Sequence, residues 1–185
     1  QPLSIAAVIG QEAPLDLWAT VAGIGEEDLL AIVEQSVDAH LLEAMPDGVS
    51  VRFAHALIRE ALYESVLPPR RRALHQQVAA ALIADPNPDP DEVAFHLQQS
   101  GDAEAVTWLI QAGERAQRAY AWLTAVERYN AATGLLAGVA GQERLRGWLL
   151  FHSARLRRYS SPAESISDLA EAERLALRAG DEILR

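Results

Sequence analysis

The side chains of this chain that could carry chemistry are its histidines, carboxylates, arginines and aromatic rings. None of its 185 residues is cysteine, which excludes disulfides, thiolate metal sites and cysteine nucleophiles. His40, His55, His75, His96 and His152 show no ligand spacing such as HExxH, so no metal site is expected. His75 and His96 fall within apolar helical patterns and read as residues packed in a helix pair. Neither a GxSxG nor a GxGxxG stretch is present. All 16 basic residues are Arg, so the lysine of a nucleotide-binding P-loop cannot lie in this segment. No catalytic residues are expected.

Three sets of residues remain as binding candidates. His55 stands just ahead of a helical pattern, where backbone N–H groups and the helix dipole favour an anion. An imidazole there can donate to a phosphate; alternatively it caps the helix or packs beside Phe53. Arg70, Arg71 and Arg72 open another helix, the end the dipole does not favour for cations, and Arg155, Arg157 and Arg158 form a second basic cluster. Both clusters read as solvated or ion-paired faces. Trp108, Tyr120, Trp122 and Trp148, with Tyr129 between them, are spaced to line either a core or a groove for a peptide or inducer.

The periodicities place these residues on a mainly α chain. Ala and Leu dominate the apolar residues and aromatics make up 6%, a mixture that favours packed helices. Helices are expected over 3–9, 14–22 and 26–40, the third with Glu26, Glu27 and Asp28 in its first turn, where the dipole favours acids. Val49, Val51 and Phe53 then alternate across a Met45-Pro46-Asp47-Gly48 turn from Leu41 and Leu42, predicting a hairpin. Helical spacing resumes at His55. Three helices, a hairpin and a helix give the order of a winged helix over 1–67.

Pro68-Pro69 break the chain ahead of a helix over 70–84, and the prolines at 86, 88 and 90 bar helix until Asp89 caps the next. The segment 68–100 thus reads as a connecting helix pair. Gly101, Gly141 and Gly180 then recur at roughly forty-residue intervals, each read as ending a helix. Leu109, Gly113, Ala125, Tyr129 and Ala132 fall at tetratricopeptide spacing, with Gly113 and Ala125 expected to face each other and Tyr129 to fill the groove to the next repeat. Leu149, Ser153, Ser165, Leu169 and Ala172 repeat that spacing degenerately, so 101–185 reads as tetratricopeptide-like repeats. The chain starts and stops in mid-pattern, and both ends read as cuts from a larger protein. No apolar run approaches the ~20 residues of a membrane span, so the expected location is cytoplasmic.

The stretches VRFAHALIREALYESVLPPRRRALHQQVAAALIA (51–84) and EVAFHLQQSGDAEAVTWLIQAGERAQRAYAWLTAVERYNAATGLL (92–136) resemble the segment that follows the ATPase module in large ATP-binding bacterial regulators of the LuxR type. Related signalling ATPases with tetratricopeptide arms carry a similar segment. The resemblance implies an ATPase and a DNA-binding helix-turn-helix outside this chain, with ATP or ADP bound mainly there and no cofactor here. It implies as partners the ATPase module itself and an inducer or partner protein, with no nucleic acid or membrane contacted through this segment. His55, after Phe53-Ala54, resembles the histidine of the Met-His-Asp motif that reaches bound ADP, although Ala56 stands where the acid would be.

Two functions follow from these readings. One is a non-catalytic sensor and transmission segment. The other is a DNA-binding winged helix with a helical oligomerisation or interaction arm. The third helix separates them, because a recognition helix needs outward Arg, Lys, Asn or Gln, and here Glu26, Glu27, Asp28, Glu34 and Asp38 occur with no Arg. The net charge of −10 points the same way. The chain is therefore expected to leave duplex DNA unshifted in a gel at physiological salt; a salt-dependent shift with micromolar affinity would contradict this.

Overall fold

A computed structural model describes residues 2–184, which form ten helices and one small antiparallel sheet. In order these are α1 (Pro2–Ile9), β1 (Glu12–Pro14), α2 (Leu15–Ala22), α3 (Glu26–Asp38), β2 (Leu42–Ala44), β3 (Ser50–Phe53), α4 (Ala56–Glu64), α5 (Pro68–Ile83), α6 (Pro90–Ser100), α7 (Ala105–Arg118), α8 (Trp122–Leu135), α9 (Glu143–Arg157) and α10 (Pro162–Ala179). The chain divides into two compact units. The first comprises 1–88 and 96–102, the second 89–95 and 103–185, so α5 counts with the first and α6 contributes residues to each. None of the helices among the described residues is long and apolar enough to cross a membrane.

In the first unit β2 and β3 form the expected hairpin, with Leu42 opposite Phe53 and Ala44 opposite Val51. Asp47 holds the turn: its carboxylate accepts the Val49 and Ser50 N–H groups and the Ser50 hydroxyl. The sheet has a third strand that the hairpin pattern does not announce, because β1 pairs with the other edge of β3 in the order β1-β3-β2. Pro14 thus ends a strand instead of opening a helix. The alternation of β3 buries Val51 and Phe53 against Trp18, Leu29, Leu42, Val8 and Val78. Trp18 is fully buried and donates its indole N–H to the Pro2 carbonyl at 3.0 Å. α3 stops at Asp38, two residues early, where His40 turns left-handed at φ 57°. Pro68 and Pro69 occupy the first turn of α5 instead of preceding it, a place where a missing N–H costs nothing.

His75 of α5 and His96 of α6 are both buried in this unit, and their Nδ1 atoms lie 2.8 Å apart. The Tyr63 hydroxyl lies 3.1 Å from His75 Nε2, and the His96 ring bonds the backbone of Ile9. These partners assign the tautomers. A carbonyl only accepts, so His96 donates to Ile9; its one remaining nitrogen then accepts from His75 Nδ1–H, which leaves His75 Nε2 to accept from Tyr63. The network is complete only while both rings are neutral, since a second proton would set two N–H groups head to head. Burial holds both rings down at about 4, with Arg59 and Arg71 adding to the effect at His75.

The second unit is a succession of short-looped helices in which α7 packs on α8, α8 on α9 and α9 on α10. The Asp89 carboxylate caps α6 by accepting the Asp91 N–H at 2.8 Å. Asp89 and Asp91 then bind Arg115, and Asp91 also binds Arg128. Ala94, Leu109, Ala125, Tyr129, Ala132, Leu136 and Leu149 form one buried cluster, and Leu150, Ala172 and Leu175 another. α8 ends at Leu135, before Gly138 and Gly141, so Gly141 lies in the following connection and does not itself stop the helix. Gly180 does stop α10, at φ 66°.

The histidine pair sets a pH dependence. In the folded state the rings stay neutral well below the usual 6.5, whereas the unfolded chain takes up protons on both. Their contribution is whole above about 6.5 and is lost as pH falls towards about 4. Stability measured by denaturant between those limits should fall by up to about 1.4 kcal/mol per pH unit for each ring. The slope should flatten in a His75→Leu/His96→Leu double variant; an unchanged slope would show that the pair is not neutral in the fold.

Candidate functional site

The second unit carries a groove of about 730 Å³. One wall is the face of α7 bearing Ile110, Glu114, Gln117 and Arg118; the other is the face of α9 bearing Leu145, Trp148, Leu149 and His152. Each set follows helical spacing, which is why each lies along one stripe. Tyr129 of α8 forms the floor, and Tyr120 and Trp122 stand at the α7–α8 connection.

The floor rests on a close approach. A Cβ placed on Gly113 would lie 2.4 Å from Tyr129 Cε1 and 2.8 Å from Cδ1, so the ring occupies the space that any other residue at 113 would fill. The partner of Gly113 is therefore the Tyr129 ring, where the spacing suggested Ala125. The Tyr129 hydroxyl donates to Gln117 Oε1 at 3.2 Å. Burial pushes its pKa up, helped by Glu114 and opposed by Arg118, which places both charges near the floor.

Trp148 is held from behind. Its indole N–H donates to Asp181 at 2.9 Å, and Asp181 also accepts from Arg144 and from the Ile183 and Leu184 N–H groups. Burial alone would raise the Asp181 carboxyl, but the Trp148 bond, the two N–H groups and Arg144 together hold it below the usual range. With its polar edge engaged, Trp148 offers the groove a ring. Trp148 and His152 lie 6.0 Å apart, and burial pushes His152 down, assisted by Arg155 and countered by Glu114. His152 is thus a neutral wall residue at pH 7. At the connection Tyr120 is left-handed at φ 60°, an uncommon conformation for a bulky residue, and it meets Trp122 edge to face at 5.4 Å.

Of the rings proposed from sequence, Tyr120, Trp122, Tyr129 and Trp148 line this groove and Trp108 does not. Trp108 precedes Ile110 by two positions, about 200° around the helix, and packs beside the Leu109 cluster instead. Glu114, Gln117, Arg118, Leu145 and His152 were missed, although their spacing along α7 and α9 was visible. In the second hairpin Leu169, placed by the forty-residue spacing where Tyr129 stands in the first, is 42% exposed, so this floor is not repeated.

His55 lies in the first unit at the start of α4, where its carbonyl accepts the Ile58 N–H at 3.0 Å. Its side chain is exposed and makes no cap hydrogen bond, so it does not cap the helix. Arg70 and Arg72 are exposed while Arg71 pairs with Glu64. Arg157 binds Glu164 and Asp168. Arg155 and Arg158 lie against the rings of Phe151 and Tyr159. Among the described residues no group of three or more His, Asp or Glu is placed to hold a metal ion. Compared with protein-family models, with curated proteins and with solved structures, the chain matches none.

Two glycine substitutions measure the floor. Ala is a better helix former than Gly by about 1 kcal/mol, so an unobstructed helical glycine gains from the change. Gly134, in α8 with nothing within 4 Å of the place an added methyl group would take, is that case. Gly134→Ala should raise the melting temperature, whereas Gly113→Ala should lower it, because overpacking against Tyr129 costs about 1–3 kcal/mol. A stabilising Gly113→Ala would show that Tyr129 lies elsewhere.

Proposed function

We propose that this chain is the non-catalytic sensing and transmission segment of a multidomain ATP-dependent transcriptional regulator. The observation that carries the reading is the ring-lined groove of about 730 Å³ in the second unit, within the size range of small-ligand sites. The first unit is read as winged-helix-like, set against the regulator's own nucleotide module, and the second as tetratricopeptide-like, receiving the inducer or a partner protein. Stacked helical hairpins suit that task because neighbouring repeats build one continuous receiving surface. The resemblance of 51–84 and 92–136 to LuxR-type ATP-binding regulators supports the ATP-dependent context, with the ATPase supplied from outside this chain and the location cytoplasmic.

His55 is assigned the ADP contact of the closed state. Its exposure and its place at the first turn of α4 leave the imidazole open to a phosphate. The rival reading, a DNA-binding winged helix with an oligomerisation arm, is disfavoured by α3, whose Glu26, Glu27, Asp28, Glu34 and Asp38 are all exposed.

The test uses the full-length regulator. It should purify with ADP bound, and His55→Ala should release that nucleotide and raise basal transcription. Trp148→Ala should keep the nucleotide and lose the response to inducer. A parent protein that holds no nucleotide, or a His55→Ala variant that keeps it with unchanged basal activity, would contradict the proposal.

A further inference from the structure

The two walls of the groove differ in kind. The α9 wall presents Leu145, Trp148, Leu149 and a neutral His152, and carries no formal charge. Both formal charges stand on the α7 wall, one helical turn apart, as Glu114 and Arg118. Arg118 donates its Nε–H to the Glu114 backbone carbonyl, not to its carboxylate. Neither side chain forms an ion pair with a described residue. The other arginines of α7, α8 and α9 are all engaged: Arg115, Arg128, Arg144, Arg146 and Arg157 each bind a carboxylate, and Arg155 lies against a ring. The groove thus keeps an uncommitted carboxylate and an uncommitted guanidinium on one stripe.

The polar capacity of the remaining lining narrows the occupant further. Trp148 spends its N–H on Asp181, and the Tyr129 hydroxyl proton goes to Gln117 Oε1. The Gln117 amide protons remain available beside Arg118. A ligand bearing only an anion would meet Glu114 a turn from its partner, and one bearing only a cation would meet Arg118. A molecule carrying both charges at one end and a flat apolar body at the other satisfies both walls together.

Resting on the reading of this groove as the sensor site, we infer that it binds a zwitterionic small molecule with an aromatic body, of the class of aromatic amino acids and short peptides. Its ammonium is received by Glu114 and its carboxylate by Arg118 with the Gln117 amide. Its ring lies between Trp148 and the Tyr120–Trp122 corner, above Tyr129. The left-handed Tyr120 lets the connection present two ring faces at 89° to each other, a corner rather than a flat wall.

The test compares four forms of one probe, L-phenylalanyl-L-phenylalanine: free, N-acetylated, C-amidated and blocked at both ends. Binding to the chain is read from the indole N–H signals of its four tryptophans by NMR. The free dipeptide should move the Trp122 and Trp148 signals and leave Trp18, which is buried and bound to Pro2, unmoved. Charge-assisted contacts of ordinary strength predict that it binds on the order of tenfold more tightly than either singly charged form. Arg118→Gln should reduce that affinity to the level of the C-amide, and Glu114→Gln to that of the N-acetyl form. Both positions are exposed, so the variants keep the fold. Equal binding by the free and doubly blocked forms would overturn the zwitterion assignment while leaving the groove a sensor site. Silence of Trp122 and Trp148 with every form would overturn it as well, and the sensor reading would then rest on the inducer response of the Trp148→Ala regulator.

Discussion

The ring of Tyr129 lies where a side chain on residue 113 would be, and only a glycine there lets α8 lay an aromatic face across α7. The rest of the groove follows from that approach. With Tyr129 lowered against α7, the stripe Ile110–Arg118 and the stripe Leu145–His152 become opposite walls instead of meeting each other. Neighbouring helices pack together wherever nothing holds them apart. Here the floor is a rigid ring fixed by Gln117, and one wall is fixed by the Trp148–Asp181 bond, so closure would break polar contacts that are already made.

The two units solve the burial of polar groups in different ways. The first hides two imidazoles in a chain of hydrogen bonds that runs from Tyr63 to Ile9 and works only in the neutral state. The second keeps its ionised groups near the surface, in pairs such as Asp91 with Arg115 and Arg128, and buries one carboxylate, Asp181, under four donors. Paired exposed charges contribute little each, while an unsatisfied buried group costs about 1–3 kcal/mol. Satisfying buried groups such as the histidine pair and Asp181 therefore contributes more to stability than the number of exposed ion pairs, although the Ser153 hydroxyl and the Nε atoms of Arg146 and Arg157 are buried without a hydrogen-bond partner.

Much of this was legible from residue spacing. The helices and the hairpin follow from apolar periodicity, and Asp89 announces itself as a cap by standing before Pro90. Four of the five rings proposed as groove contacts line it, because aromatic residues clustered at the α7–α8 connection and along α8 and α9 had few other places to go. Other features had no local signal. β1 is three residues, too short to show a period, and it exists because β3 offers an edge. Apolar spacing places His75 and His96 within one helix pair, as the structure has them, but gives no sign that their rings bond each other across 21 positions. Glu114, Gln117 and Arg118 carry no local signal, since a groove wall and an open surface have the same composition until a second helix stands opposite.

The central claim is that Tyr129 lies on Gly113 and so opens the groove, and the direct measurement is the proton NMR of that contact. The Gly113 Hα protons should be displaced upfield by the Tyr129 ring current and should show nuclear Overhauser effects to its Hε and Hδ protons. Gly113 Hα protons at ordinary shifts, with no such effects to Tyr129, would contradict the account.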